Sequence, residues 1–591
     1  MGLRILFDSH SLHHKNPFGT VVPKEFCAFS VSVPVSVKTL QVELCLRCDR
    51  TGAVRREPMT KTGAEGDYEF WGCEISFQEP DLYFYWFWFK TEGSSFRLFK
   101  YGDHDTNMEA GDLWQLSCVT DAYPAPDWAR GAILYQIMPD RFCRLGAPDL
   151  TDKLKPYTVH ENTEDMPDWK PTAEGKVLNN DFFGGTLMGI TSKLDYLASL
   201  GVGVLYLNPV FMAFSNHRYD TCDYKRIDPM LGTEADFAEL CKQAHARDIR
   251  VILDGVFSHT GSNSVYFDKE KIFGNGAYSN ENSPYRNWYM FSQYPDKYKS
   301  WWDFDTLPCI DKLNKDYVNY IIEDEDSVIA HWLRLGADGF RLDVVDELPD
   351  VFVAKMRRRM REINPDSMLL GEVWEDASNK EAYGVRRRYF TDGELDGVMN
   401  YPWRTAILNF CSGKDGGIAF KSAVETICEN YPKQVLECTM NLISSHDRAR
   451  AITELASPFE GSREEMAKHK LSAKERQKGL IMLKMAALLQ YSLPGMPAIY
   501  YGDEAGLEGC KDPFNRGFYP WGREDTELVK FYQKLGELRN SKKSLRFGDV
   551  KVFSENDGVV TVRREYDGEV TEIILDRNSA KWYINGAERD F

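Results

Sequence analysis

Positive charge is the first thing this sequence is short of: 72 Lys and Arg stand against 90 Asp and Glu, a net charge of −18 over 591 residues. Nucleic-acid binding relies on clustered basic residues that neutralise phosphates, so that class is excluded. The two short basic runs, Arg357-Arg358-Arg359 and Arg386-Arg387-Arg388, read as solvated faces. Long apolar runs are missing too; none reaches the roughly 18 residues of a membrane span. The opening Met1-Gly2-Leu3-Arg4-Ile5-Leu6-Phe7-Asp8 lacks the apolar run of about 7–15 residues and the small-residue site of a secretory leader. Thirteen scattered Cys, an odd number, do not make a closed disulfide framework. The one C-x-x-C, Cys45 to Cys48, has neither a second pair nor a nearby His to complete a zinc site. A cytoplasmic protein without membrane or nucleic-acid partners is expected.

Hydrophobic residues make up 43% of the chain, enough for a large core without staples, and at this length several domains are expected. The first 125 or so residues are β-rich, with alternation at 29–33 and 40–44. Residues 83–89 form an unbroken aromatic run, read as a strand buried on both faces or as a sugar-stacking platform. Pro124-Ala125-Pro126 reads as a linker, since proline cannot continue a ladder. Beyond Trp128 the pattern becomes strand, loop, helix, repeated. Strands are predicted at 132–137, 202–207, 250–254, 339–343, 368–372, 397–400, 440–444 and 498–501, with amphipathic helices such as 234–247 and 326–335 between them. Eight such units predict a closed (β/α)₈ barrel. An irregular aromatic stretch follows the third strand, and β-branched residues return near the end, as in Val559-Val560-Thr561-Val562. The predicted division is an N-terminal β-sandwich (1–125), a barrel (126–257 and 316–540), an inserted subdomain (258–315) and a C-terminal β domain (541–591).

In such a barrel the C-terminal ends of the strands build the active site. The third ends in Asp254-Gly-Val-Phe-Ser-His259, and the fourth reads Gly339-Phe-Arg341-Leu-Asp343-Val-Val-Asp346-Glu347. The fifth ends in Gly371-Glu372-Val-Trp374 and the seventh in Ser445-His446-Asp447. A single strand-end acid is commonly a helix cap, but four such acids are hard to explain that way.

These four segments resemble the signature regions of glycoside hydrolase family 13, the α-amylase family. Asn208-Pro209-Val210 with Asn216-His217-Arg218-Tyr219-Asp220, and Pro497-Ala-Ile-Tyr-Tyr501-Gly-Asp-Glu504, are similar to its neopullulanase, cyclomaltodextrinase and maltogenic-amylase branch. The resemblance implies a retaining glycosidase acting on α-1,4 and also α-1,6 bonds of α-glucan oligosaccharides, cyclodextrins, pullulan or starch. It implies Asp343 as nucleophile, Glu372 as acid/base and Asp447 as stabiliser of the distorted sugar. Arg341 faces the same way as Asp343 and is expected to keep it ionised, while Glu372 needs a raised pKa to act as an acid. Retention requires the two carboxyls roughly 5–5.5 Å apart, which adjacent strand ends provide. Among the substrate-binding residues, His259 and His446 are implied to hydrogen-bond sugar hydroxyls, and Tyr219 to stack under the reacting ring beside His217. Asp512 and Arg516 would grip the non-reducing end, with Glu347 and Trp374 on the leaving-group side. Asp254 belongs to the same set.

The chain also departs from the branch. Leu307-Pro308-Cys309-Ile310-Asp311 replaces Met-Pro-Lys-Leu-Asn, and Val345-Asp346 replaces Ala-Asn. Where relatives carry an Asn- and Asp-rich calcium loop, this chain has Cys143-Arg-Leu-Gly-Ala-Pro-Asp149, and Gly184-Gly185-Thr186 in place of Gly-Gly-Asp. Calcium wants six to eight oxygen ligands, so no metal or other cofactor is expected. The resemblance also implies a homodimer through the N-terminal domain. Two alternatives remain: a glucanotransferase using the same covalent intermediate, and a non-catalytic carbohydrate-binding protein, since fold does not guarantee function.

Overall fold

The computed structural model describes residues 4–121 and 125–589, so Pro124 of the expected linker lies outside the described residues. The chain forms two compact units. One comprises Met1–Pro124, Asp376–Glu394 and Lys421–Leu436; the other comprises Ala125–Glu375, Leu395–Phe420 and Glu437–Phe591.

The larger unit holds the barrel. Its eight parallel strands are Ile133–Ile137, Val202–Leu207, Arg250–Gly255, Gly339–Leu342, Met368–Gly371, Gly397–Val398, Met440–Leu442 and Met496–Tyr500. They pair in chain order and the eighth returns to the first. The sixth and seventh strands meet through the parallel bridge of Met399 with Met440, where the Asn400 N–H donates to the Met440 carbonyl at 2.8 Å. Buried Leu134, Val204, Tyr206, Ile252, Leu370, Met440 and Ala498 belong to one core cluster, as expected of a barrel filled by its own side chains. Gly339 opens the fourth strand because a Cβ there would collide with the Met368 carbonyl of the fifth.

The helices follow the apolar periodicity. In Glu234–His245 a capping box joins Thr233 to Asp236, and Phe237, Leu240, Cys241 and Ala244 form the buried stripe. Helix Ala473–Ser492 begins with another capping box, Ser472 to Glu475, and every residue from Met485 onward is buried. After the third strand the chain forms turns and two short hairpins, Phe291–Gln293 with Lys297–Tyr298 and Ser300–Trp301 with Phe304–Pro308. Five antiparallel strands between Asp549 and Glu588 close the chain.

The smaller unit is built on nine strands, all antiparallel where paired. Strand Val54–Glu65 turns the corner: its first half pairs with Thr39–Cys48 and its second with Tyr68–Ser76. The two halves of the sheet thereby share one core that includes Val31, Val33, Leu44, Ile75, Tyr85 and Phe87. Segments Asp376–Glu394 and Lys421–Leu436, within the stretch predicted as barrel, group with this unit through polar contacts. Gln115 donates to Ser378 Oγ at 2.8 Å, and buried Lys15 reaches Glu429 at 3.2 Å.

Two expectations are corrected here. The aromatic run sits in strand Asp81–Thr91 and is not buried on both faces: Tyr85, Phe87 and Phe89 are in the core, whereas Phe84 and Trp88 are half-buried. Arg47 lies 5.2 Å from the Phe84 ring and Arg97 lies 5.6 Å from the Trp86 ring, so guanidinium groups already lie against the outer face. The basic runs are more than solvated faces as well. Arg357 pairs with buried Asp396 at 2.7 Å and Arg388 with Asp81 at 2.6 Å.

Candidate active site

The parallel register brings the acids together. Asp254 pairs with Arg341 and Leu342 with Gly371, so Asp343 and Glu372 emerge side by side. Backbone bonds fix that alignment: Asp343 N–H donates to the Gly255 carbonyl and Glu372 N–H to the Leu342 carbonyl, both at 3.1 Å. Arg341, wholly buried, serves all three acids. One terminal nitrogen donates to Asp254 Oδ1 at 2.8 Å and Asp343 Oδ1 at 3.0 Å, and the other lies 2.9 Å from Glu372 Oε2. Oxygens held by the two arms of one planar guanidinium are necessarily close neighbours.

Glu372 is fixed by further donors. Its Oε2 accepts the Val344 N–H at 2.8 Å and its Oε1 the Trp374 indole N–H at 3.1 Å. Trp374 stacks on Tyr401 at 4.4 Å and remains 43% exposed, so it both packs on the barrel and presents a face to solvent. Val344, directly after Asp343, has a φ of +39°, a left-handed conformation costly for a β-branched residue and typical of functional sites.

Electrostatics differ from expectation at Asp343. Burial pushes its carboxyl well above the usual range; Arg341 opposes this, while Glu372, Asp254 and Asp447 add to it. Arg341 does not by itself keep Asp343 ionised, because its charge is shared with two other carboxylates. Asp447 is also raised by burial, against Arg516 and Arg341.

Around the acids, Tyr219 O–H donates to Asp254 Oδ2 at 2.9 Å, and its ring lies parallel to His446 at 5.5 Å. His446 Nδ1 accepts from Gln136 Nε2 at 2.9 Å, which turns Nε2 toward Tyr219 and Asp447, the latter at 3.2 Å. His217 Nδ1 accepts the Tyr219 N–H at 3.1 Å and faces Ser215 Oγ at 3.1 Å, leaving its Nε2 as a donor. Burial keeps the imidazoles neutral: His217 is held down to about 3 and His259 to about 4, and His446 lies well below its usual value. Arg516 pairs with Asp512 at 2.9 Å and lies 3.8 Å from Asp447.

Not every expected residue offers a free group to a sugar. Both ring nitrogens of His259 face protein, Ser258 Oγ at 2.8 Å and the Tyr219 carbonyl at 3.1 Å. Asp254 is enclosed by Arg341, Tyr219 and Tyr206, whose O–H donates to it at 2.7 Å. Glu347 sits in the short 3₁₀ turn Val345–Glu347 after the fourth strand. Sequence reasoning passed over Tyr206, Gln136 and Tyr401. The signal available for Gln136 was a lone polar side chain inside an apolar strand.

The expected calcium region contains a guanidinium. Arg144 donates to the carbonyls of Glu161, at 2.9 Å, His160 and Phe183. Asp140 accepts the N–H groups of Phe183 and Gly184. A positive side chain already bonded to the local carbonyls does not fit a calcium site.

A (β/α)₈ barrel with a carboxylate cluster on one arginine at its strand ends defines the class of protein. Residues 136–544 match the α-amylase catalytic domain, and the chain belongs to that family. It is 31% identical over 558 residues to a cyclomaltodextrinase of Geobacillus thermopakistaniensis, covering 89% of this chain and 85% of that protein. It is 35% identical over 649 residues to an amylopullulanase of Thermoanaerobacter thermohydrosulfuricus, covering 97% of this chain; it spans only 42% of that protein's length. Among solved structures, the type III pullulan hydrolase of Thermococcus kodakarensis aligns at a TM-score of 0.66 and 25% identity, over 97% of this chain and 94% of that one.

Proposed function

We propose that this chain is a retaining α-glucan hydrolase acting on cyclodextrins, pullulan and maltooligosaccharides at α-1,4 bonds, with some α-1,6 cleavage. The observation that carries the reading is the bridging of Asp343 and Glu372 by Arg341. Asp343 attacks the anomeric carbon while Glu372 gives its proton to the departing glycosidic oxygen, leaving a glycosyl ester on Asp343. Glu372 then takes a proton from water, which opens the ester with overall retention. Asp447, Arg516, Asp512, His217 and His446 hold the sugar hydroxyls and favour the charged, flattened ring of the transition state. Chemistry needs a proton on Glu372 and none on Asp343.

Related proteins support the substrate class, since they are named as cyclomaltodextrinase, neopullulanase and maltogenic α-amylase. The test is product analysis on pullulan, γ-cyclodextrin and maltotriose, beside Asp343→Asn. Panose and maltose, absent with the variant, support the reading. Maltotriose from pullulan would move it to true α-1,6 cleavage, longer products from maltotriose to a transferase, and no turnover would remove it.

The proposed enzyme works without calcium, because Arg144 supplies the positive charge in that region. A rise in Tm or kcat/KM when millimolar calcium is returned to chelator-treated enzyme would overturn this. It pairs as a homodimer through its N-terminal sheet, an assignment that an exclusively monomeric sedimentation profile at micromolar concentration removes. Its cysteine side chains, most of them buried, favour a cytoplasmic setting; cell fractionation tests it.

A further inference from the structure

We infer that His10, His104 and Glu425, with Asp8 beside them, bind one divalent transition-metal ion of the zinc class in the smaller unit. The three residues come from far apart in the chain. His10 lies near the start, His104 in the turn between strands Ser95–Tyr101 and Asp105–Asn107, and Glu425 in helix Gly417–Asn430. The two imidazole rings meet edge to face with centroids 5.1 Å apart. Donor atoms of Asp8, His10 and His104 all lie within 4.8 Å of one another. Glu425 Oε2 is 3.6 Å from His10 Nδ1 and 3.8 Å from His104 Nε2.

Those two separations exceed a hydrogen bond but suit ligands on a common ion. Zinc bonds of about 2.0–2.1 Å in a tetrahedron put neighbouring donor atoms roughly 3.3–3.4 Å apart. The atoms concerned are also unsatisfied. Nδ1 of His10, Nε2 of His104 and Oε2 of Glu425 are buried without a hydrogen bond, and the His10 side chain is only 5% exposed. Buried polar atoms without partners are rare, and three on three neighbouring side chains point to a missing common partner.

The groups behind the rings are those a metal-bound histidine uses. His104 Nδ1 faces Asp8 Oδ2 at 3.1 Å, and His10 Nε2 lies 3.1 Å from Glu429 Oε2. Glu429 is itself held by Lys15 at 3.2 Å and Ser9 Oγ at 3.0 Å. A carboxylate behind each imidazole holds the proton on the far nitrogen and turns the near lone pair toward the ion. Lys421 Nζ lies 3.4 Å from Glu425 Oε2 and competes for that oxygen. Its half-exposed side chain is free to turn to water when the ion binds. The ion would tie the N-terminal segment to the strand turn and the helix. This site is independent of the glycosidase reading.

The test uses the full chain stripped with a chelator and titrated with Zn²⁺ alone, bound metal being counted after equilibrium dialysis. Wild type is expected to hold one equivalent that both His10→Gln and His104→Gln lose, while Asp447→Asn keeps it. Zn²⁺ should raise the Tm of wild type by several degrees and leave that of the histidine variants unmoved. Should His10→Gln fail to fold, His104→Gln, at a half-exposed side chain, carries the test, with near-UV circular dichroism as the fold control. Equal zinc stoichiometry in wild type and His104→Gln, or none in wild type, overturns the proposal.

Discussion

Two buried carboxylates, Asp343 in the barrel and Glu429 in the smaller unit, are driven in opposite directions by similar ingredients. Burial works against ionising either. At Glu429, Lys15 and His10 outweigh burial and hold the carboxyl down to about 2. At Asp343, one guanidinium divided among three carboxylates does not, and the carboxyl rises well above its usual value. The ratio of cations to carboxylates, rather than depth of burial, separates a charge that braces the fold from one kept poised for chemistry.

The largest effect should come from Asp343→Asn. It is expected to cut kcat by roughly four orders of magnitude or more, as loss of a nucleophile does. Because it removes a carboxylate raised in the folded state, Tm should hold or rise, as differential scanning calorimetry would read. A marked fall in Tm would mean that Asp343 is braced like Glu429 and would end the contrast.

Lys15→Met tests the other side. It strands Glu429 in the interior and should cost about 3–5 kcal/mol in urea unfolding, with kcat of the surviving folded enzyme unchanged. Adding Glu429→Gln should restore part of the loss. Glu429 contributes stability above pH 4.5, its usual value, which is lost as pH falls through about 2.

Glu504 sharpens the comparison with a carboxylate that has no cation in contact. It accepts from Tyr135, Tyr196 and the Gly502 N–H, and burial pushes it up to about 7 from 4.5. The folded protein keeps a proton that the unfolded chain loses above pH 4.5, so stability falls as pH rises toward about 7. The loss is about 3 kcal/mol, and Glu504→Gln should flatten that part of the Tm-against-pH curve. The smallest effect is at Trp374→Phe. Keeping the stack on Tyr401 but losing one hydrogen bond of about 1 kcal/mol to Glu372 should lower kcat/KM about three- to tenfold. No change would show that the indole does not orient Glu372.

Much of the fold was legible locally. All eight barrel strands fall within a few residues of the stretches predicted from apolar runs between helical periods. The family motifs also marked which strand ends carry acids. Other features had no local signature. Phe84 and Trp88 read as part of one apolar run, yet they stand on the outer face of their strand, where Arg47 and Arg386 lie against the Phe84 ring. Tyr206 and Gln136 looked like strand filler and proved to orient Asp254 and His446. Residues 376–394 and 421–436 fell within the span predicted as barrel but group with the N-terminal strands.

The sequence by itself determined the barrel, its strand order and the acids at the strand ends, because each is written in residue type and short-range spacing. Only the tertiary structure decided what those acids are. Whether a carboxyl is held ionised or left holding a proton depends on how many cations share its neighbourhood, and those cations arrive from strands and helices far away in the chain.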